Sequence, residues 1–138
     1  MESSKRLAKF QKYISFLKKK LCILLDAKPY AIVDVASKHI SSASICGVYA
    51  ISLKGSDDIL YIGKNETATI AERAKQHIYM REHSDLKTMI KRYPDLAQNL
   101  QDYCIRWIDI PMPDDRHFFE AFAIGVLRPR MNFKKINK

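Results

Sequence analysis

Long apolar runs are absent. Nothing approaches the roughly 18 residues a membrane-crossing helix needs, and the longest run near the start, LCILL at 21–25, is too short for the core of a secretory signal. The expectation is a cytoplasmic, intracellular chain with no membrane partner. Cysteine is sparse and badly spaced for metal or disulfide chemistry. Cys22, Cys46 and Cys104 form no CxxC pair, so buried, reduced thiols are expected. Internal repeats and low-complexity segments are missing too, which excludes solenoid and linker-like architectures.

What is present is basic charge, and it is unevenly placed. The net charge is +9, with +6 over residues 1–46, −2 over 47–127 and +5 over 128–138, where no acidic residue occurs. A near-neutral centre between basic flanks suits a polyanionic partner. At 138 residues and 47% hydrophobic, the chain is expected to form one domain with a terminal appendage.

Leu7, Phe10, Ile14, Leu17, Leu21 and Leu24 recur at alternating spacings of three and four, predicting a helix over 4–25 with a single apolar stripe. That stripe either packs on the chain's own core or forms a homodimer contact. Pro29 is placed to open a short helix running to about His39, and SSAS at 41–44 reads as a linker. GVYAISL and ILYIG are rich in β-branched and aromatic residues and flank KGSDD, a set of turn formers, so an antiparallel hairpin is expected. A helix follows over 69–82, capped by Thr67 or Thr69. More helix is expected over 85–101, broken at Pro94, then a third strand over 103–110 and a last helix over 115–127. The expected fold is α+β, an α/β sandwich. A small three-stranded antiparallel sheet is flanked by helices, with a basic helical extension over 1–45 and the main unit over 46–138.

Several residues could carry chemistry. Tyr49 and Tyr61 lie in the two hairpin strands, where pairing can bring both phenols to one face. Gly63 closes the second strand and permits close approach of another group, and the cation Lys64 follows it. Arg73 and His77 lie four apart on a helix and so share a face. Arginine fits phosphate oxygens and histidine handles protons near neutrality. Glu120 sits among Phe118, Phe119, Ala121, Phe122, Ala123 and Ile124. A carboxylate in so apolar a helix needs a partner: a salt bridge to Arg116, or a hard metal ion such as Mg²⁺. Asn132, just beyond the last helix, is placed to brace its surroundings.

In this order the residues resemble the GIY-YIG nuclease family. Its first motif appears as GVY (47–49) and its second as YIG (61–63), eleven residues apart. Arg73, His77, Glu120 and the Pro129–Asn132 spacing match its later elements. The resemblance covers about 46–133. Val48 replaces isoleucine, the interval from Tyr61 to Arg73 is about two residues longer than the family pattern leads one to expect, and the flanks fall outside it. It implies a divalent-metal-dependent DNA endonuclease using Mg²⁺ (or Mn²⁺). Glu120 would be the metal ligand, Arg73 would grip a phosphate, Tyr49 or Tyr61 would be the base (Tyr49 preferred), and His77 would be a second proton handler. Gly63, Lys64 and Asn132 would support the site. DNA contacts are expected from Lys18, Lys19, Lys20, Arg128, Arg130, Lys134 and Lys135. A restriction or phage/mobile-element enzyme is the favoured type. A repair or branch-specific nuclease, or a non-catalytic DNA-binding module, is the alternative.

Overall fold

Four antiparallel strands form one sheet in the order β1-β4-β2-β3, and helices cover both faces. The structure, a computed structural model, describes residues 2–79 and 86–133. Lys134, Lys135 and the far end of the helix expected over 69–82 lie outside them. The elements are α1 (Glu2–Asp26), β1 (Tyr30–Ala31), α2 (Ile32–Ser37), β2 (Gly47–Leu53), β3 (Ile59–Lys64), α3 (Ile70–Tyr79), α4 (Leu86–Met89), β4 (Tyr103–Asp109) and α5 (Pro113–Leu127). The mixed α+β class is the one expected, with four strands in place of three.

The central strand β2 explains the two-sided architecture. It pairs with β3 on one side and β4 on the other, and six of its seven residues are buried. Tyr49 and Ile51 point into a core with Ile32, Val35, Ile70, Ala74 and Leu86 from α2, α3 and α4. Val48 and Ala50 point the opposite way, into a core with Leu17, Leu21, Leu24, Phe119 and Ala123 from α1 and α5. This is the period-two alternation of a strand, used to anchor two separate helical layers. The β2–β3 turn falls within KGSDD as expected, and Gly55 takes a φ of +79°, which a side chain would strain.

The extra strand corrects the reading of Pro29 as a helix opener. Tyr30 and Ala31 pair with Ile105 and Cys104 at the outer edge of β4, and Tyr30 stacks on Trp107 with ring centroids 5.3 Å apart. A free strand edge and an aromatic partner outweigh the proline's helix-starting geometry, so α2 begins at Ile32 and ends at Ser37. SSAS is not a loose linker either. It holds a 3₁₀ turn in which Ala43 is buried and the Ser42 carbonyl accepts from Trp107 Nε1 at 3.0 Å.

The helix expected over 85–101 is cut short. Described helix runs only from Leu86 to Met89, with a 3₁₀ turn over Ile90–Arg92 and another over Leu100–Asp102. The irregular backbone between them is satisfied by one side chain. Gln98 Nε2 lies 3.0, 3.1 and 3.0 Å from the carbonyls of Ile90, Tyr93 and Leu96.

α1 splits its stripe between two environments. Leu17, Leu21 and Leu24 are buried against the sheet and α5, whereas Leu7 and Phe10 are about 60% exposed. Residues before 46 therefore contribute core to the same body. α5 also departs from expectation. It is not buried all round: Phe118 and Val126 are more than half exposed, and only Arg116, Phe119 and Ala123 are fully inward.

Candidate active site

Tyr49 and Gly63 face one another across the β2–β3 ladder. A Cβ on residue 63 would overlap the Tyr49 hydroxyl and Cζ, so the phenol occupies the space that a side chain would fill. Gly63 is needed for close approach and not for an unusual φ. Tyr61 lies diagonally across the same pair of strands, and the two phenol rings sit 6.2 Å apart.

α3 delivers the next two groups. Thr69 opens it: its Oγ1 accepts from the Glu72 backbone N–H at 3.2 Å and donates to the Glu72 carboxylate at 3.3 Å. One turn separates Arg73 from His77, and both side chains turn toward the tyrosines. Arg73 Nε donates to the Tyr49 hydroxyl at 3.1 Å, and His77 Nε2 lies 2.8 Å from the same oxygen. The histidine ring meets both phenol rings edge-on, at 5.5 and 5.9 Å.

The proton positions follow from one further bond. The backbone N–H of Leu86 donates to His77 Nδ1 at 2.9 Å, so that nitrogen is an acceptor. A neutral imidazole then carries its proton on Nε2 and donates it to Tyr49. The Tyr49 oxygen thus receives two donors, His77 and Arg73. Its own proton is left free to turn toward the neighbouring Tyr61, whose ring centre lies 6.2 Å away. The order from the core outward is His77, Tyr49, Tyr61.

Burial dominates the electrostatics. It lowers the His77 pKa to about 3, helped by the Arg73 charge, so the ring is neutral at physiological pH. Burial likewise pushes Tyr49 well above the ordinary phenol value. Tyr61 raises it further, while the Arg73 charge and hydrogen bond pull it down. Tyr61 is raised by the same burial and lowered first by Arg73. For Arg73, burial alone would favour the neutral form, but the two phenols reverse that and the net direction is upward. Tyr49 is 1% exposed, so the phenol that meets solvent is the half-buried Tyr61.

Glu120 reaches this cluster from α5, and its charge acts on both phenols. Desolvation raises its own pKa; Lys64, His117 and the Lys64 backbone N–H oppose that. It does not pair with Arg116. That guanidinium, buried as well, donates to the carbonyls of Asn65, Glu66 and Pro111 and ties down the segment after β3. Glu120 is left without an ion pair among the described residues. Lys64 is paired with Glu66 at 3.1 Å.

A half-desolvated, unpaired carboxylate is the right donor for a hard divalent cation. Among the described residues no cluster of three His, Cys, Asp or Glu side chains stands ready for a metal. The donor set therefore fits an ion such as Mg²⁺, which is commonly held by one carboxylate and completes its shell with water and phosphate. It does not fit an ion caged wholly by protein.

Asn132 acts as a strand of one residue. Its Oδ1 accepts from the Ile62 N–H and its Nδ2 donates to the Ile62 carbonyl, both at 2.8 Å. β3 is the sheet edge, so the amide closes a rung that would otherwise be open, between Tyr61 and Gly63. The basic residues are more dispersed. Lys18 and Lys19 are exposed, Lys20 lies over Phe16, and Arg128 lies over Phe133. Arg130 is engaged by Asp95 in a two-pronged ion pair at 2.9 and 3.1 Å.

No family model matches the chain, and no curated protein does. Among solved structures it is similar to the GIY-YIG N-terminal endonuclease domain of UvrC from Thermotoga maritima bound to its catalytic magnesium. The identity is 19% over 73% of this chain and 93% of that one, with a TM-score of 0.48. A point mutant of the same domain aligns over 86% of this chain and 96% of that one, at 19% identity and a TM-score of 0.46. At that distance, the chemistry of this chain rests on its own residues.

Sequence reasoning missed the clamping role of Arg116 and the burial of Arg106 on β4. The second was open to inspection: in YCIRWIDI, Arg106 alternates in phase with Cys104 and Ile108, the set that faces the α1 and α5 layer.

Two outcomes are expected. Gly63→Ala should dislodge the Tyr49 ring from its seat, destabilising the fold by about 1–3 kcal/mol through overpacking. Urea denaturation will measure this. Neutral His77, buried, cannot charge in place, whereas the unfolded chain's histidine charges below about pH 6.5. Stability is therefore full above that value and falls as pH drops toward about 3, by on the order of 2 kcal/mol at pH 5. Urea midpoints from pH 7 to 5 should show the loss, and His77→Gln should flatten it.

Proposed function

We propose that the protein is a divalent-metal-dependent endodeoxyribonuclease that hydrolyses phosphodiester bonds. The observation that carries this is the hydrogen-bonded meeting of Tyr49, Arg73 and His77, with the Tyr61 ring packed against it, beside the unpaired Glu120 carboxylate. Binding DNA needs only positive surface; it does not need a desolvated acid beside buried phenols. That tells against the non-catalytic module.

In this reading Glu120 holds Mg²⁺ or Mn²⁺. A bound divalent cation supplies neutralisation of charge on the scissile phosphate. Arg73, oriented by Tyr49 and Gln76, places its guanidinium where a non-bridging oxygen gains charge. Tyr61 faces the attacking water: as the phenolate, its own proton already lost to solvent and its charge offset by Arg73, it takes a proton from that water and is a phenol again. Tyr49 donates to Tyr61, and His77 and Arg73 hold Tyr49 in position. Tyr49 was the preferred base on sequence grounds; its enclosure makes it the orienting phenol instead. Gly63 and Asn132 keep β3 in register, and Lys64 tunes Glu120.

The catalytic unit is assigned to 46–138. The segment 1–45 is assigned as a basic extension whose Lys18, Lys19 and Lys20, with Arg128, Lys134 and Lys135, contact the DNA backbone without reading sequence. Arg130 joins them only if it leaves Asp95. A restriction or phage/mobile-element role is preferred over a repair or branch-specific one, on the compactness of the core.

The exposed half of the α1 stripe, Leu7, Phe10 and Ile14, favours a homodimer seam there. Leu17 cannot belong to that seam, because it is core. Phe10→Lys should halve the sedimentation mass while the fold is kept; an unchanged mass removes the seam.

The test of the activity is Glu120→Gln on a labelled duplex with Mg²⁺. Cleavage should fall by about a thousandfold while the variant still retards DNA. Cleavage at the wild-type rate would sink the assignment.

A further inference from the structure

The opposite face of the sheet carries a second polar site, at the hairpin end and away from the tyrosine cluster. Arg106 pairs across the ladder with Ala50, and Cys104 with Ser52, so these side chains point toward the α1 layer. Arg106 is 5% exposed, yet among the described residues it has no carboxylate partner. A guanidinium offers five N–H donors in a planar fork. Nη1 donates to the Leu25 carbonyl at 2.7 Å, one of the open carbonyls in the last turn of α1. Among the described residues Nε has no acceptor, and the Ser52 hydroxyl, 1% exposed, is also without a partner.

Ser52 and Arg106 line a half-open cavity of about 180 Å³, together with Pro29 and the turn around Gly55. Cys104 lines it too. Burial pushes its thiol up, against the lowering pull of Lys54 and Arg106, so it stands as a protonated, weakly donating S–H. The lining thus offers one guanidinium, a thiol and the hydroxyls of Ser52 and Ser56, which donate as well as accept. The one acid on its rim is Asp57, exposed on the turn. A buried arginine with an idle donor, beside an idle hydroxyl, is costly as it stands. An anion with several oxygens would satisfy both.

We propose that this cavity is a binding site for a small tetrahedral oxyanion of the phosphate type, either the free ion or the terminal phosphate of a nucleotide. Arg106 supplies charge and the Nε donor, and Ser52 supplies a second hydrogen bond. Asp57 weakens the site from its rim. Arg106 keeps its bond to Leu25, so an occupied site also fastens the C-terminal end of α1 to the sheet.

The experiment is a titration of the full-length, nitrogen-labelled protein with inorganic phosphate, at constant ionic strength set by chloride. The side-chain Nε–H resonance of Arg106 is followed, and it is assigned by its loss in Arg106→Lys. It should move and saturate, with half-saturation on the order of 1 mM. Ser52→Ala, which keeps the arginine, should weaken binding about fivefold. Asp57→Asn, on the surface, should tighten it about threefold. Glu120→Gln should leave the titration unchanged, which separates this site from phosphate held near Arg73 and keeps the result independent of the proposed activity. No movement up to about ten times the half-saturating concentration, or equal movement with chloride alone, would overturn the site and leave only a buried water there. A nucleoside monophosphate arm identifies the source. A tighter curve than inorganic phosphate assigns the cavity to nucleotide ends, and an equal or weaker one to the free ion.

Discussion

The Tyr49 hydroxyl is the point on which the site turns. It is enclosed, it accepts a hydrogen bond from His77 and another from Arg73, and it occupies the volume left open by the missing Cβ of Gly63. Three elements must therefore agree on one oxygen atom. β2 carries the phenol, β3 makes room for it, and α3 presents two donors to it from a single turn. Any shift in sheet register would move a phenol to the other face and dissolve the cluster.

That oxygen also explains the division of labour among ionisable groups. His77 is the deepest, and its low pKa makes it a fixed neutral donor whose tautomer is set by the Leu86 N–H. Arg73 is held charged by the phenols around it. Glu120 stands at the edge, partly desolvated and unpaired. Charge is thereby graded from a neutral interior to an ionic rim. Such a gradient suits chemistry on a phosphate, because the reacting charges stay where ions and water can reach them. The two arginines buried among the described residues sit outside this arrangement. Arg116 donates through Nη1 to carbonyls of the segment after β3 and leaves its Nε without a partner, and Arg106 likewise keeps an idle Nε, beside a cavity on the far face.

Much of this was legible beforehand, because the relevant signals are local. Alternation in GVYAISL and ILYIG with turn formers between them specifies a hairpin. Two residues four apart on a helix share a face whatever that helix packs on. The apolar company of Glu120 flagged an acid in an unusual place, although α5 proved to be a surface helix with one inward stripe. What went astray involved competition between local preference and distant partners. Pro29 favours a helix start, but the edge of β4 and the ring of Trp107 claimed Tyr30 first. Arg116 and Glu120 are spaced for a helical salt bridge, but carbonyls from a loop some fifty positions earlier in the chain took the arginine.

From the order of residues alone came most of the element types, the hairpin, the shared face of Arg73 and His77, and the candidate status of Glu120, since each depends on backbone periodicity or on the cost of a misplaced charge. Only the folded chain decided which phenol faces water, which way the His77 proton points, that Asn132 serves as a rung on Ile62, and that the stripe of α1 is half core and half open surface. Those outcomes depend on which groups meet across the sheet, and burial and hydrogen-bond direction are properties of that meeting rather than of any residue by itself.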